Sequence, residues 1–142
     1  TINEFSIDGT LAGDSDDAVP TEQAVKTYVD GITWENVTYN NSDTTITLTT
    51  ADLNSVLIVD NASPVAVNLP SVAAGDIGKL IRIYKEGAGN LTINRADSDV
   101  IEDGTSVANT QAAETWANIG LLLGTATKWK FLGAPLGSWS TS

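Results

Sequence analysis

The sequence predicts a mainly β protein: an antiparallel, jelly-roll-like β-sandwich knob preceded by an extended arm and one short α-helix. Three observations predict this class. Only 18% of the 142 residues are charged, and the abundance of Thr, Asn, Ser, Val and Gly favours strands and turns. Short segments with alternating apolar residues recur between clusters of turn-forming residues. The first 30 residues lack this alternation and differ from the rest in charge.

These differences divide the chain into three parts. Residues 1–33 are predicted to form an attachment arm and a short helix, and residues 34–135 the β-sandwich knob. The last ten residues, GAPLGSWSTS (133–142), are rich in Gly, Pro and Ser, and residues 136–142 are predicted to be a tail. The total length fits one domain with an appended arm.

The arm is acidic and has little apolar patterning. Residues 1–30 contain a single base, Lys26, and seven acids: Glu4, Asp8, Asp14, Asp16, Asp17, Glu22 and Asp30. Asp8-Gly9 is a turn signal. Because so polar a segment has little apolar area to bury, we expect it to become ordered on a partner surface.

A helix is predicted from near Pro20 to Gly31. Proline is tolerated in a first helical turn, and Thr21 or Ser15 is placed to cap the helix. Glu22 lies where the helix dipole favours an acid, and Lys26 follows one turn later.

One face of this helix is apolar, with residues at helical spacing: Val25, Tyr28, Val29 and Ile32. A helix of about three turns is marginal in water, so this stripe must be buried against another surface. The surface is either the β-domain of the same chain or the same helix of sister chains in a short coiled coil. The second arrangement predicts an oligomer with the stripe as the interface between several copies of the chain.

Seven segments after Gly31 have strand character. In chain order they are Thr44 to Thr50, Ser55 to Asp60, Val65 to Leu69, Gly78 to Gly87, Asn90 to Arg95, Trp116 to Gly124 and Thr127 to Gly133. Within the fourth segment, Ile81 and Ile83 share one face, with Arg82 and Tyr84 on the other. The turn-forming residues between segments, including a hairpin turn predicted at Gly87 to Asn90, favour a sandwich. No internal repeat is evident.

Charge and composition exclude several classes of function. The formal net charge is −11, which disfavours nucleic acid and anionic membrane surfaces as partners. The chain has no Cys and no His, so it lacks disulfides, thiolate ligands and the commonest general base. No apolar stretch approaches the length of a membrane span. We therefore predict no cofactor, no metal and no catalytic residue.

Two clusters of acidic residues are candidate metal or catalytic sites. Asp14, Asp16 and Asp17 suggest calcium, but the spacing does not match an EF-hand loop, and a solvated turn before the helix is favoured. The second cluster, around the Asp103-Gly104 turn, suggests a metal or a glycosidase carboxylate pair and comprises Asp97, Asp99, Glu102 and Asp103. Since no activating partner is identifiable, a solvated loop is favoured there too.

The tryptophans suggest a second kind of site, a platform for stacking sugars. Trp116 and Trp129 lie within apolar alternation and are predicted to be core or interface residues. Trp139, in the Gly/Ser-rich tail, is predicted to be exposed and is the candidate glycan contact.

Two stretches resemble tail-fibre and head-fibre-like virion proteins of tailed bacteriophages. The segment "DGTLAGDSDDAVPTEQAVKTYVD" (residues 8–30) is similar to one that precedes β-rich modules in these proteins. The rest resembles a fibre module through Leu69-Pro70, Gly78-Lys79, the turn from Ile101 to Gly104, and Thr127 to Trp129. The resemblance implies a homotrimeric, non-enzymatic component at the virion surface, joined to capsid or tail proteins through its arm. Within the arm, Phe5, Ile7 and Leu11 are the candidate attachment residues. The alternative is a receptor-binding module for a host-surface glycan or, less favoured, a polysaccharide depolymerase.

Overall fold

The computed structural model describes residues 4–6, 18–31 and 37–142, and the side chains of residues 21–26 and 37–142. The chain divides into two compact units, Thr1–Trp34 and Glu35–Ser142. Each unit is described by itself.

In the first unit, two short strands precede the helix. Strands β1 (Glu4–Ser6) and β2 (Ala18–Pro20) pair in parallel, with Phe5 opposite Val19. Helix α1 spans Glu22–Gly31. The Thr21 hydroxyl accepts a hydrogen bond from the Ala24 N–H at 3.2 Å, so Thr21 caps the helix as the sequence predicts.

The second unit is built from two β-sheets. Its strands are β3 (Val37–Asn40), β4 (Thr45–Thr47), β5 (Ser55–Val59), β6 (Val65–Asn68), β7 (Leu80–Lys85), β8 (Leu91–Asn94), β9 (Val100–Ile101), β10 (Ser106–Asn109), β11 (Ala117–Thr125), β12 (Lys128–Phe131) and β13 (Trp139–Thr141). The six-stranded sheet has the order β3-β5-β7-β11-β12-β9, and the five-stranded sheet has the order β13-β10-β8-β6-β4.

The first six of these strands alternate between the two sheets. Strands β3, β5 and β7 lie side by side in parallel, and so do β4, β6 and β8. Each turn of the chain therefore adds one strand to each sheet, as in a β-solenoid. Strands β10 and β11 then pair antiparallel to β8 and β7.

The prediction of antiparallel sheets is thus wrong, because both sheets are mixed. A jelly-roll is built from antiparallel strands, and the parallel stacking departs from that order. The sequence predicts a hairpin turn at Gly87 to Asn90, and turn-forming residues also occur at Asn61 to Pro64. In the structure both segments carry the chain from one sheet to the other.

Side chains from both sheets form one buried apolar cluster. Strand alternation supplies it: Ile81 and Ile83 point inward from β7, as predicted, and Val65 and Val67 point inward from β6. Trp129 on β12 is fully buried within the cluster.

The residues predicted as a C-terminal tail belong to a sheet. Strand β13 pairs antiparallel with β10, and the Ser142 carbonyl accepts a hydrogen bond from the Thr105 N–H. The Gly- and Pro-containing segment before it forms a β-bridge to β11 between Leu136 and Asn118 and leads the chain to β13.

Candidate functional site

The most distinctive surface of the second unit is the solvent side of the six-stranded sheet. Strand alternation and register place two rows of side chains there. One row runs Val37, Val56, Arg82, Gly120 across β3, β5, β7 and β11, and the next runs Tyr39, Ile58, Tyr84, Asn118. Leu132 and Leu136 extend the rows beyond β11, through backbone hydrogen bonds to Gly120 and Asn118. We call these residues, together with Trp116, Glu86 and Asp60, the outer face.

The outer face leaves large apolar side chains uncovered. The exposed fractions are Val37 61%, Tyr39 53%, Trp116 65%, Leu132 40% and Leu136 60%. Single exposed apolar residues are ordinary on protein surfaces, but five large ones on the same side of one sheet indicate an interaction site.

A groove crosses this face. It has a volume of ≈ 380 Å³ and is lined by Val37, Val56, Ile58, Arg82, Tyr84, Glu86 and Trp116. A smaller depression of ≈ 70 Å³ adjoins it, and the two share Arg82 and Tyr84. Arg82 and Tyr84 therefore lie at the centre of the face.

Trp116 is held in place by its backbone. Its φ is +121°, a conformation that bulky residues rarely adopt and that surrounding structure must enforce. The Trp116 N–H donates a hydrogen bond of 2.6 Å to the Lys85 carbonyl at the end of β7. The exposed ring is thus carried on a fixed segment.

Lys85 anchors the same segment with its side chain. It is only 1% exposed, and its Nζ donates hydrogen bonds to the Gln111 carbonyl at 2.9 Å and to the Glu114 carbonyl at 3.4 Å. Burial lowers the pKa of Lys85, and the nearby Glu114 carboxylate opposes that shift. Two carbonyl groups thereby compensate an ammonium that is otherwise costly to bury.

Glu114 joins this segment to the chain before β13. Its carboxylate accepts hydrogen bonds from the Asn109 Nδ2 at 2.6 Å, the Ser138 N–H at 2.7 Å and the Ser138 hydroxyl at 2.6 Å. These bonds lower the pKa of Glu114, those from Ser138 most strongly. The segment bearing Trp116 is therefore tied to β7, β10 and the last turn.

Two charged residues of the outer face, Arg82 and Glu86, have no ion pair among residues 37–142. Arg82 makes no ion pair or side-chain hydrogen bond among residues 37–142, whereas three lysines of that range do: Lys79 with Asp76, Lys128 with Asp103, and Lys130 with Glu102. The Tyr39 hydroxyl donates a 2.5 Å hydrogen bond to Asp60 Oδ2. That hydrogen bond, with the charges of Asp60 and Glu86, raises the pKa of Tyr39.

The acidic residues at the Asp103-Gly104 turn attach the turn to β12 through two ion pairs and a hydrogen bond. Lys128 Nζ lies 2.7 Å from Asp103, Lys130 Nζ lies 3.0 Å from Glu102, and the Phe131 N–H donates to Glu102 at 2.6 Å. These contacts lower the pKa of both carboxyls. Asp99 is buried nearby, and its Oδ2 has no hydrogen-bond partner. Burial, reinforced by Asp97, raises the pKa of Asp99.

The tryptophan predictions need correction. Trp129 is a core residue as predicted, whereas Trp116, predicted to be a core or interface residue, is exposed and therefore not in the core. Trp139 is half-buried against the apolar cluster, and its Nε1 donates to the Leu136 carbonyl at 2.8 Å. If any tryptophan of residues 37–142 stacks on a ligand, geometry favours Trp116 over Trp139.

The helix and arm residues are described only in part. Val25 lies on α1 with its side chain 41% exposed. Tyr28 and Val29 lie on the same helix, but their side chains are outside the described residues, as is Ile32. Phe5 lies on β1, whereas Ile7, Leu11 and the acids Asp14, Asp16 and Asp17 are outside the described part of the chain.

The outer face could not be predicted from the sequence, because its residues come from five separated segments.

A scan against protein-family models finds no match for this chain, and a search of curated proteins finds none either. Within the described residues, no three acidic side chains are grouped so that they could hold a metal ion. Among those same residues, no helix is long and apolar enough to cross a bilayer.

Proposed function

We propose that this chain is a non-enzymatic structural protein of a tailed-phage virion, a homotrimeric surface knob joined to capsid or tail by its N-terminal arm. The knob is the Glu35–Ser142 unit, with its two sheets packed as a sandwich. The observation that carries the proposal is the outer face, whose uncovered apolar side chains suit a protein that works by assembling with others.

The separate apolar core of the second unit supports the same role. The apolar cluster of the second unit draws its members from residues 48–129, so that unit has a core of its own. The resemblance of residues 8–30 to fibre-protein segments supplies the attachment role. The seven acids of residues 1–30 favour a partner surface that bears Lys and Arg. Binding between such surfaces weakens as the salt concentration rises.

Recognition of a host-surface glycan is the alternative function. The exposed ring of Trp116 beside Arg82 and Glu86 is the feature that favours it, since sugars stack on such rings. Under this alternative the same face would contact a receptor instead of another virion protein.

Deletion of Thr1 to Asp17 tests the structural proposal. The truncated chain retains α1 and the whole second unit, so we expect a folded, β-rich trimer by circular dichroism and light scattering. We expect it to fail to co-sediment with virus particles assembled without this protein, whereas the full-length chain binds them.

A full-length control carries Asp14→Asn, Asp16→Asn and Asp17→Asn. We expect it to bind the particles more weakly than the native chain, with a smaller effect of added salt. Equal particle binding by truncated and native chains would place attachment elsewhere. Absence of binding by the native chain would contradict the proposed function.

A further inference from the structure

We infer that the outer face is the contact between neighbouring copies of the Glu35–Ser142 unit, with Arg82 of one copy paired to Glu86 of the next. The inference rests on the trimer proposed above, and it names a surface that holds the copies together in addition to helix α1.

The chemistry of the face favours a protein partner. Three of its most exposed side chains, Val37, Leu132 and Leu136, are aliphatic. Aliphatic groups gain by burial against other apolar groups and offer no hydrogen bond to the hydroxyl groups of a saccharide. The groove offers only Arg82 and Glu86 as charged groups.

The exposed apolar residues lie at both margins of the face. Val37 and Tyr39 are on β3, the edge strand, whereas Leu132 and Leu136 lie beyond β11 on the opposite side. In a ring of three copies, one margin of each copy meets the other margin of its neighbour, and the ring closes. Two apolar margins on one face suit this arrangement.

The charges identify the partner as another copy. Arg82 needs an anion, and Glu86 has no cationic partner among residues 37–142. A second copy supplies both counter-charges at once, so the contact neutralises each of them. A charge left unpaired inside a buried interface would instead weaken association.

The opposite surface of the unit provides a contrast. The solvent side of the five-stranded sheet has a row of small residues: Thr45, Ala66, Thr92, Ala108 and Ser140. It carries none of the large exposed apolar side chains of residues 37–142. The apolar surface is therefore concentrated on one side of the unit, the side to which we assign the contact.

Disulfide cross-linking of the full chain tests the position of the contact. The native chain has no Cys, so Val37→Cys with Leu136→Cys introduces the only thiols. Four strand spacings separate these positions within one chain, about 19 Å, which is beyond the reach of a disulfide. We expect mild oxidation to give covalent dimers and trimers on a denaturing gel.

The matched control is Thr47→Cys with Ser140→Cys. These residues lie on the two edge strands of the five-stranded sheet, at the same separation of about 19 Å. We expect this variant to remain monomeric on the same gel. Equal cross-linking of both pairs, or none in the first pair, would overturn the inference.

A charge exchange tests the pairing. Arg82→Glu and Glu86→Arg should each weaken association by about tenfold or more, and the double variant should restore it, as measured by light scattering against concentration. Unchanged association in both single variants overturns the inference. Loss of binding to host polysaccharide in Arg82→Glu, with unchanged molar mass, assigns the face to a saccharide instead. Particle binding is a separate measurement, so failure here is distinguishable from failure of the proposed function.

Discussion

Lys85 shows how one buried side chain can position a surface. Strand alternation places it inward, in line with Ile81 and Ile83, where a lysine is uncommon. Its ammonium reaches the carbonyl groups of Gln111 and Glu114, and its own carbonyl receives the Trp116 N–H. The orientation of Trp116 on the outer face therefore depends on a residue that solvent does not reach.

Lys85→Met should loosen this segment while preserving the packing volume. Two buried carbonyl groups lose their donor, which costs about 1–3 kcal/mol of unfolding free energy. We expect a lower urea midpoint and faster amide hydrogen exchange at Trp116. Lys79→Met is the control, because its partly exposed ion pair with Asp76 is worth about 1 kcal/mol. Unchanged stability in Lys85→Met would mean that desolvation of the ammonium offsets its hydrogen bonds.

The order of the residues around the tryptophans predicts whether they are buried, which composition alone does not. The alternation of Ala117, Ile119 and Leu121 correctly predicts their burial. By the same parity Trp116 points to the other side of the sheet, so its exposure was available from that pattern. The burial of Lys85 could not be predicted from the sequence. Strand alternation predicts that its side chain is buried, whereas its charge predicts that it is exposed. Only the carbonyl groups that accept its hydrogen bonds decide between the two.

At the scale of the elements, the sequence predicts seven of the eleven strands of the second unit, misses β3, β9, β10 and β13, and does not predict which strands are partners. Alternation identifies a strand, but it carries no information about which strand lies beside it. The stacked turns also leave no sequence repeat, because the offset between partners differs: Val37 pairs with Val56, which pairs with Arg82. The stacking is visible instead in a ladder, where Asn94 donates to Asn68 and Asn68 to Thr47.

The connection between β7 and β8 depends on a close approach of two chain segments. A Cβ at Gly89 would lie 2.0 Å from the Ser63 carbonyl oxygen, and a backbone atom cannot move away as a flexible side chain can. Glycine therefore lets this crossing pack against the crossing between β5 and β6. The GAGN sequence is explained by this contact rather than by a hairpin.

Gly89→Ala should destabilise the second unit by about 2 kcal/mol or more through this overlap. Gly75→Ala is the matched control, since a Cβ there meets nothing within 4 Å. The control should be neutral or slightly stabilising, because alanine restricts the unfolded chain. Thermal unfolding of the two variants side by side measures the difference. Equal melting temperatures for the two variants would show that the β5–β6 and β7–β8 connections can move apart without loss of stability.

At the scale of the whole molecule, acidity is the dominant physical property. A net charge of −11 gives self-repulsion that destabilises the compact state and that partial protonation relieves. Several carboxyls oppose this trend because their charged forms are stabilised in the folded chain. Those with lowered pKa values are Asp76, Glu102, Asp103 and Glu114.

These opposing effects predict a stability maximum in mildly acidic solution. The four carboxyls with lowered pKa contribute stability above their unfolded pKa, about 4, and lose it as the pH falls through their folded values. Asp99, whose pKa is raised, has the opposite sign: its buried charge opposes folding at neutral pH, and protonation removes that penalty. We expect the melting temperature to rise from pH 8 to about pH 5 and to fall below about pH 4.

Asp99→Asn separates the contribution of the buried carboxylate from general charge repulsion. A neutral amide has no ionisation penalty, so this variant should melt above the native chain at pH 7–8 and converge with it near pH 4. Asp97→Asn is the control: Asp97 is exposed and only adds to the shift at Asp99, so its effect should be smaller. If the melting temperature rises by the same amount between pH 8 and pH 5 in Asp99→Asn and in the native chain, charge repulsion alone produces the stability maximum.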